Sequence, residues 1–544
     1  MSDPLLDRAR AWLAEDPDPD TRAELEALIV ADNRTELAER FAGRLEFGTA
    51  GLRGALGAGP MRMNRVVVIR AAAGVAAYVN SRGGRAVVVG FDARHNSDVF
   101  ARDTAAVLVG AGLRALVLPR PLPTPVLAYA IRHLGCDAGI MVTASHNPPQ
   151  DNGYKVYLGD GAQIAPPTDA EISAAIDAVG PLATVPRVDG WDTLDESVLE
   201  AYLDRVAGLV PPTAPRELTM VYTPLHGVGG EVLVEALQRA GFSAPRVVPV
   251  QAEPDPNFPT VSFPNPEEPG ALDLALEAAV IQDADLVLAN DPDADRCAVA
   301  VPLPDGSGWR MLTGDEVGAL LGAWLLRTTV SSGTLAASIV SSSLLSTMAQ
   351  RHDVDFAETL TGFKWLSRVE GLRYAYEEAL GYCVDPAAVR DKDGISAATR
   401  IAEMAAALKA EGRTLLDLLD DLAREYGLYA TSALSLRVTD LAEIDAAMAR
   451  LRATPPTSLG ALTVTSVDDL ALGSDDLPPT EGLRYRLAPH GRVVVRPSGT
   501  EPKLKSYLEV VLPVAPDDDL VALRAQATDR LSAISADLAA ALGR

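Results

Sequence analysis

The chain has 544 residues, more than one hydrophobic core can organise, and its 48% hydrophobic content is ample to bury several. A formal net charge of −26 argues against a nucleic acid or an anionic membrane as partner, because both need a broad cationic face. An anionic small molecule has to be drawn in by a local basic cluster instead. Cys136, Cys297 and Cys383 are odd in number and far apart, which reads as reduced thiols of a cytoplasmic protein rather than a disulfide framework. Residues 1–20 are acidic and lack the apolar segment of a signal peptide, and the longest uncharged stretch, residues 328–350, is too rich in Ser and Thr for a membrane span.

In chain order, the first forty residues have helical spacing broken by a turn at Asp16-Pro17-Asp18-Pro19-Asp20, and read as a surface arm. Phe47 to Gly54 places glycines around Arg53, a set of backbone N–H groups and a guanidinium able to hold a phosphate. Short apolar strands are expected at 86–90, 115–118 and 138–142 with helical stretches between them, a pattern that implies a mostly parallel, helix-covered sheet. The last of these runs into Thr143-Ala144-Ser145-His146-Asn147-Pro148 and on to Lys155. This places a hydroxyl, an imidazole, an amide and an ammonium at the edge where α/β sheets bind ligands. Such a set suits a serine that accepts and returns a phosphoryl group; a plain polar turn is the alternative.

Thr219 to Gly230 reads as a strand, a glycine turn without dinucleotide-binding spacing, and a helix stopped by Gly241. A strand over 286–290 then leads into Asp291-Pro292-Asp293-Ala294-Asp295-Arg296. Carboxylates at alternate positions can point into one hole if the backbone stays extended, and they repel one another unless a cation such as Mg²⁺ binds. A solvated acidic loop or part of an EF-hand is the alternative, the latter lacking its glycine and glutamate. Thr313-Gly314-Asp315-Glu316 is a capping box. Lys364 lies in a glycine turn, and Glu377-Glu378-Ala379-Leu380-Gly381 reads either as a pair of sugar-binding carboxylates or as a charged helix start. Asp391-Lys392-Asp393-Gly394 leads a helix. A strand at 493–495 then runs into Arg496-Pro497-Ser498-Gly499-Thr500-Glu501-Pro502-Lys503, a phosphate cradle on chemical grounds, and a closing helix runs from Pro516 towards Gly543.

The serine loop, the aspartate loop, the Glu377-Glu378 turn and the Arg496 loop, arriving in this order over nearly the whole chain, resemble the α-D-phosphohexomutases, which interconvert sugar 1-phosphates and 6-phosphates. The resemblance implies an α/β fold of four domains around a central cleft, three similar mixed α/β/α domains and a smaller α+β C-terminal one. With boundaries placed from Pro- and Gly-rich spans, these are residues 1–196, 197–303, 304–424 and 425–544. It implies that Ser145 carries the phosphate, with Arg53 and Lys155 as acid/base or charge-stabilising partners and His146 orienting the loop. Asp291, Asp293 and Asp295, completed by an oxygen on Ser145, would hold Mg²⁺. Arg296, Lys364, Glu377, Glu378, Arg496, Ser498, Gly499, Thr500 and Lys503 would bind a small phosphosugar, and a sugar 1,6-bisphosphate would be the intermediate and activator. Ala379 stands where many members have serine, which resembles the branch holding phosphopentose mutases and sugar-bisphosphate synthases. The expected substrate is glucose phosphate with mannose accepted, the expected class is an intramolecular phosphotransferase, and the expected location is the cytoplasm.

Overall fold

The computed structural model describes residues 3–48, 51–438, 440–475, 477–498 and 503–543. The chain forms two compact units, one of residues 1–312 with 381–410 and the other of 313–380 with 411–544.

The first unit opens with helices Pro4–Glu15, Pro19–Val30 and Arg34–Arg40, each begun by a short acceptor side chain: Asp3, Asp18 and Asn33. Its larger sheet runs Leu52–Ala55, Asp151–Leu158, Ala138–Val142, Ala86–Phe91, Arg114–Val117, Asp192–Thr193. The three expected apolar runs form the parallel centre, buried on both faces as such strands must be. Asp151–Leu158 returns antiparallel beside Ala138–Val142, so residues 143–150 are a hairpin loop and Lys155 lies opposite Met141. Leu52–Ala55 adds to the outside of that strand with Arg53 opposite Gly153. The register thus places Arg53, the serine loop and Lys155 on three neighbouring strands.

The second sheet of this unit runs Trp309–Met311, Ala298–Pro302, Leu286–Ala289, Met220–Thr223, Arg246–Val247. The glycine turn after Met220–Thr223 starts helix Gly229–Arg239. A Cβ on Gly227 would sit 2.5 Å from the carbonyl oxygen of Pro292, so only glycine lets this turn press against the aspartate loop. Residues 381–410 supply strand Gly381–Cys383, bridged to Arg296, and helix Gly394–Ala410. Gly394 is needed for the same reason: its Cβ would lie 2.2 Å from the Arg296 carbonyl oxygen.

In the second unit, helix Gly314–Thr328 starts with the expected capping box, Thr313 and Glu316 exchanging side-chain and backbone bonds. Strands Asp355–Thr359, Thr334–Ser338 and Leu372–Glu377 pair in parallel. An antiparallel sheet follows, ordered Leu428–Arg437, Lys503–Leu512, Gly491–Pro497, Leu483–Ala488, Leu462–Asp469, Ser458–Leu459. Helix Leu520–Ala541 buries Leu520, Ala527, Leu531, Ile534 and Leu538 against it. Polar contacts join the two layers: Glu358 meets Arg484 at 2.6 Å and Arg492 at 3.2 Å, and Glu509 accepts from the backbone and hydroxyl of Ser343 at 2.7 and 2.6 Å. No helix among the described residues is long and apolar enough to cross a membrane.

Candidate active site

Strand Ala138–Val142 delivers Thr143 to the sheet edge, where its hydroxyl accepts from the Ser145 N–H at 2.9 Å. Ser145 adopts φ +50°, a left-handed conformation that costs a serine about 1–2 kcal/mol and therefore needs outside support. Arg94 provides it. Its guanidinium donates to the carbonyls of Ser145 at 2.6 Å, Pro148 at 2.8 Å and Asp151 at 3.2 Å, and to that of Asn147. Asp92 lies level with Thr143, because Phe91 pairs with Val142 in the parallel register, and accepts from Ser97 Oγ at 2.6 Å and from the Arg94 N–H at 3.0 Å. The sequence reading missed both. The available signal was two charges, Asp92 and Arg94, placed directly after a buried strand at the edge that carries Ser145.

The aspartate loop leaves strand Leu286–Ala289 and meets Ser145 side chain to side chain: Ser145 Oγ donates to Asp291 Oδ2 at 2.6 Å and lies 3.2 Å from His146 Nδ1. The expectation of an extended backbone through this loop is wrong. Ala294 adopts φ +54° and its N–H bonds to the Asp291 carbonyl at 2.8 Å, so a tight turn, not alternation along a strand, makes the carboxylates converge. Asp291, Asp293 and Asp295 are buried, and one ligand atom from each lies within 4.8 Å of the others. Lys155 Nζ holds Asp293 Oδ2 at 2.7 Å and Asp295 Oδ2 at 2.9 Å; Lys392 adds a contact to Asp295 at 3.2 Å, and Thr124 Oγ1 donates to Asp293 at 2.6 Å. The second oxygens, Asp293 Oδ1 and Asp295 Oδ1, are buried with no hydrogen-bond partner. Two buried carboxylate oxygens without a hydrogen-bond partner, in a cluster of three carboxylates, fit a hard divalent cation.

The electrostatics agree. Burial, then Asp293 and Asp295, push the Asp291 carboxyl up to about 8, whereas burial of Asp295 is outweighed by Lys155, Lys392 and Arg296, which hold it below the usual range. Burial alone would depress Lys155, but Asp293 and Asp295 keep its ammonium above the ordinary lysine value. Burial, then Arg296 and Arg53, lowers His146 well below 6.5, so the imidazole beside Ser145 is neutral. Arg53 reaches the same loop by donating to Asn147 Oδ1 at 3.1 Å, and the Arg296 N–H donates to Asp291 Oδ1 at 3.1 Å.

In the second unit, Glu377 closes a strand rather than opening a helix, and its Oε1 accepts from the Gly362 N–H at 2.5 Å. Glu378 accepts from Ser338 and Ser341 at 3.3 and 3.2 Å. Lys364 is buried, its ammonium 5.2 Å from the centre of the Trp365 ring. Arg496 ends strand Gly491–Pro497, and the Ser498 N–H bonds to the Lys503 carbonyl at 2.8 Å, closing the base of the loop; Gly499 and Thr500 lie outside the described residues. Tyr507 connects the two loops. Burial and the nearby Glu378 raise its phenol while Arg496, its hydrogen-bond partner, opposes them, with Glu377 also in range.

The whole-chain comparisons decide the family. Residues 44–181, 200–304 and 313–426 match phosphoglucomutase/phosphomannomutase α/β/α domains I, II and III, and residues 434–527 match the C-terminal domain of the same family. The chain belongs to the α-D-phosphohexomutase superfamily. It is 48% identical to "Probable phosphomannomutase" of Haemophilus influenzae over 82% of this chain and 93% of that one. It is 37% identical to "Probable phosphoribomutase" of Schizosaccharomyces pombe over 93% and 94%. A crystal structure of a Thermus thermophilus protein assigned to phosphomannomutase aligns with a TM-score of 0.70 at 26% identity, covering 90% of this chain and 99% of that one. This phosphomutase is therefore an isomerase of the phosphotransferase type with a four-domain mixed α/β fold.

Proposed function

We propose that this phosphomutase interconverts a hexose 1-phosphate and a hexose 6-phosphate, glucose preferred and mannose accepted, through phosphate carried on Ser145 and a sugar 1,6-bisphosphate. The observation that carries the reading is the joining of Ser145 Oγ to a buried aspartate cluster whose other members are held by Lys155. Phosphoryl transfer asks mainly for positioning and charge neutralisation, and this cluster offers both. Asp291, Asp293 and Asp295, with an oxygen on phosphorylated Ser145, would hold Mg²⁺, which supplies neutralisation of the transferring phosphoryl group.

In the first half-reaction the bond between Ser145 Oγ and phosphorus breaks, a bond from a sugar hydroxyl to phosphorus forms, and the hydroxyl proton leaves to a base. In the second, the bond between the sugar oxygen and the other phosphorus of the bisphosphate breaks, a bond from that phosphorus to Ser145 Oγ forms, and the Ser145 proton is passed on to the sugar oxygen, reversing the proton movement of the first. Lys155 remains protonated and stabilises charge, because two carboxylates hold its ammonium. The groups within reach of the Ser145 proton are Asp291 and His146, with Arg53 steadying the loop through Asn147. Arg296 and Lys364, the Glu377-Glu378 turn for sugar hydroxyls, and Arg496, Ser498, Gly499, Thr500 and Lys503 for the non-reacting phosphate complete the assignment. Domains 1–196, 197–303, 304–424 and 425–544 each contribute one of the loops, and the cytoplasm is the expected setting.

A pentose reading is the second, because "Probable phosphoribomutase" is among the similar chains and Ala379 removes a hydroxyl from the sugar turn. Comparing kcat/KM for glucose 1-phosphate, mannose 1-phosphate and ribose 1-phosphate, with Mg²⁺ and a trace of the matching bisphosphate, decides: hexose preference supports the first reading, and ribose preference replaces it. Ser145→Ala should abolish both turnover and protein-bound phosphate; full activity in this variant defeats the mechanism.

A further inference from the structure

We propose that Arg94 is the positioning residue of this site, the group that holds Ser145 in its reactive backbone conformation; the inference rests on the phosphoserine reading above. Ser145 stands at φ +50°, and the orientation of its carbonyl follows from that conformation. Arg94 fixes this carbonyl directly and then takes those of Asn147, Pro148 and Asp151, so one guanidinium spans the loop from the serine to the strand that returns from it. All four of these bonds go to backbone oxygens and none to Ser145 Oγ, which is why Arg94 acts through the loop rather than on the phosphoryl group.

The support for Arg94 is itself built in. Its side chain is 1% exposed, its Nε lies 3.5 Å from Asp92 Oδ2, and its guanidinium lies over the Phe258 ring at 4.9 Å. The Asp92 carboxylate is in turn fixed by the Ser97 hydroxyl and the Arg94 N–H. Asn257, next to Phe258, meets His95 at 3.0 Å, so the segment that covers Arg94 is anchored to the residue beside it. Lysine cannot replace this arrangement. Its single ammonium lacks the planar fork that donates in two directions at once, although it carries the same charge. A structural salt bridge would tolerate that exchange; a template for four carbonyls would not.

The test uses Arg94→Lys and Arg94→Ala in the full chain, with folding checked by circular dichroism. Arg94→Lys should lower kcat about 100-fold with KM within about twofold, the mark of a displaced reacting group. The rate at which glucose 1,6-bisphosphate loads phosphate onto Ser145, read by intact mass, should fall by a similar factor. Guanidinium ion at a non-denaturing concentration should restore part of the activity of Arg94→Ala. Wild-type kcat in Arg94→Lys, a loss confined to KM, or no rescue of folded Arg94→Ala each overturns the proposal. Should neither variant fold, Phe258→Leu decides: kcat lowered roughly two- to fivefold at unchanged KM supports it, and wild-type kcat overturns it. Active wild-type protein that never carries phosphate on Ser145 would instead defeat the proposed function itself.

Discussion

Replacing Lys155 by methionine separates the structural part of the aspartate cluster from the metal binding proposed for it. The change keeps an unbranched side chain, one atom shorter, and removes an ammonium that sits 2.7 and 2.9 Å from two buried carboxylates. Removing one partner of a buried pair costs about 3–5 kcal/mol, and the lower end applies here because Lys392 stays 3.2 Å from Asp295. In a unit of this size each kcal/mol moves Tm by roughly 2 °C, so the variant should melt about 6 °C lower in EDTA. Mg²⁺ should then return more to the variant than to the wild type, because the cation meets a cluster with one positive charge fewer. An extra 1–2 kcal/mol of metal binding adds roughly 2–4 °C to the metal-induced rise. Differential scanning fluorimetry of both proteins, in EDTA and across a Mg²⁺ titration, reads all of this. Equal metal-induced rises in the two proteins, or an unchanged Tm of the variant in EDTA, would refute the reasoning.

Asp393 predicts a pH dependence of stability. Burial pushes its carboxyl up to about 6, although Oδ1 accepts from Tyr202 OH and from the Ile395 and Ser396 N–H groups. A pKa raised on folding means the folded chain holds the proton more tightly, so the contribution is present below about pH 4 and lost as pH climbs through about 6, amounting to at most ~3 kcal/mol. Asp393→Asn keeps the acceptor oxygen; its Tm relative to wild type should rise between pH 4 and pH 8, and a constant difference would show that Asp393 does not titrate in that window. The three thiols are buried, with Cys136 pushed up to about 11 by burial and Asp137 and the others also raised. A disulfide reagent at pH 8 should therefore find no thiol in the folded protein and three after denaturation, and one fast-reacting thiol before unfolding contradicts this. Glu358→Gln leaves Arg484 and Arg492 without their shared carboxylate and should cost about 1–2 kcal/mol, seen as faster amide exchange in strands Leu483–Ala488 and Gly491–Pro497; unchanged exchange there would mean that their other partners, Asp468 and the Ser341 carbonyl, suffice to hold the two arginines.

How far the sequence was legible depended on how local each signal was. The apolar strands expected at 86–90 and 138–142, the capping box at Thr313 and the closing helix are set by neighbouring residues, and the structure has them within a few residues of where the spacing puts them. The convergence of Asp291, Asp293 and Asp295 was expected for the wrong reason. Alternation suggested an extended segment, while Ala294, a residue with no turn signature, takes the left-handed conformation. Arg94 was invisible because its meaning lies in four carbonyls between 51 and 57 residues away, which only the parallel register of two strands brings to it. Lys392 was read as part of a helix lead-in, and its contact with Asp295 depends on Gly394 permitting close approach to the Arg296 backbone.

The charge of the site explains how an acidic chain handles an anionic substrate. Around Ser145 the acids Asp291, Asp293 and Asp295 are matched by Lys155, Lys392, Arg296 and Arg53, yet the two lysines are already engaged with the carboxylates and Arg53 with Asn147. Phosphate on Ser145 would add about −1.5 to −2 charges next to Asp291, more than these engaged cations can balance at short range. A divalent cation would restore the balance almost charge for charge, and the cluster has two buried carboxylate oxygens without a hydrogen-bond partner. Phosphate on Ser145 and a cation held by the cluster, as proposed, would therefore stabilise one another, and by linkage whatever one gained in affinity from the other would be returned equally. The net charge of −26 is then compatible with an anionic substrate, because local clusters of cations, not the overall charge, would supply the favourable field at the proposed site.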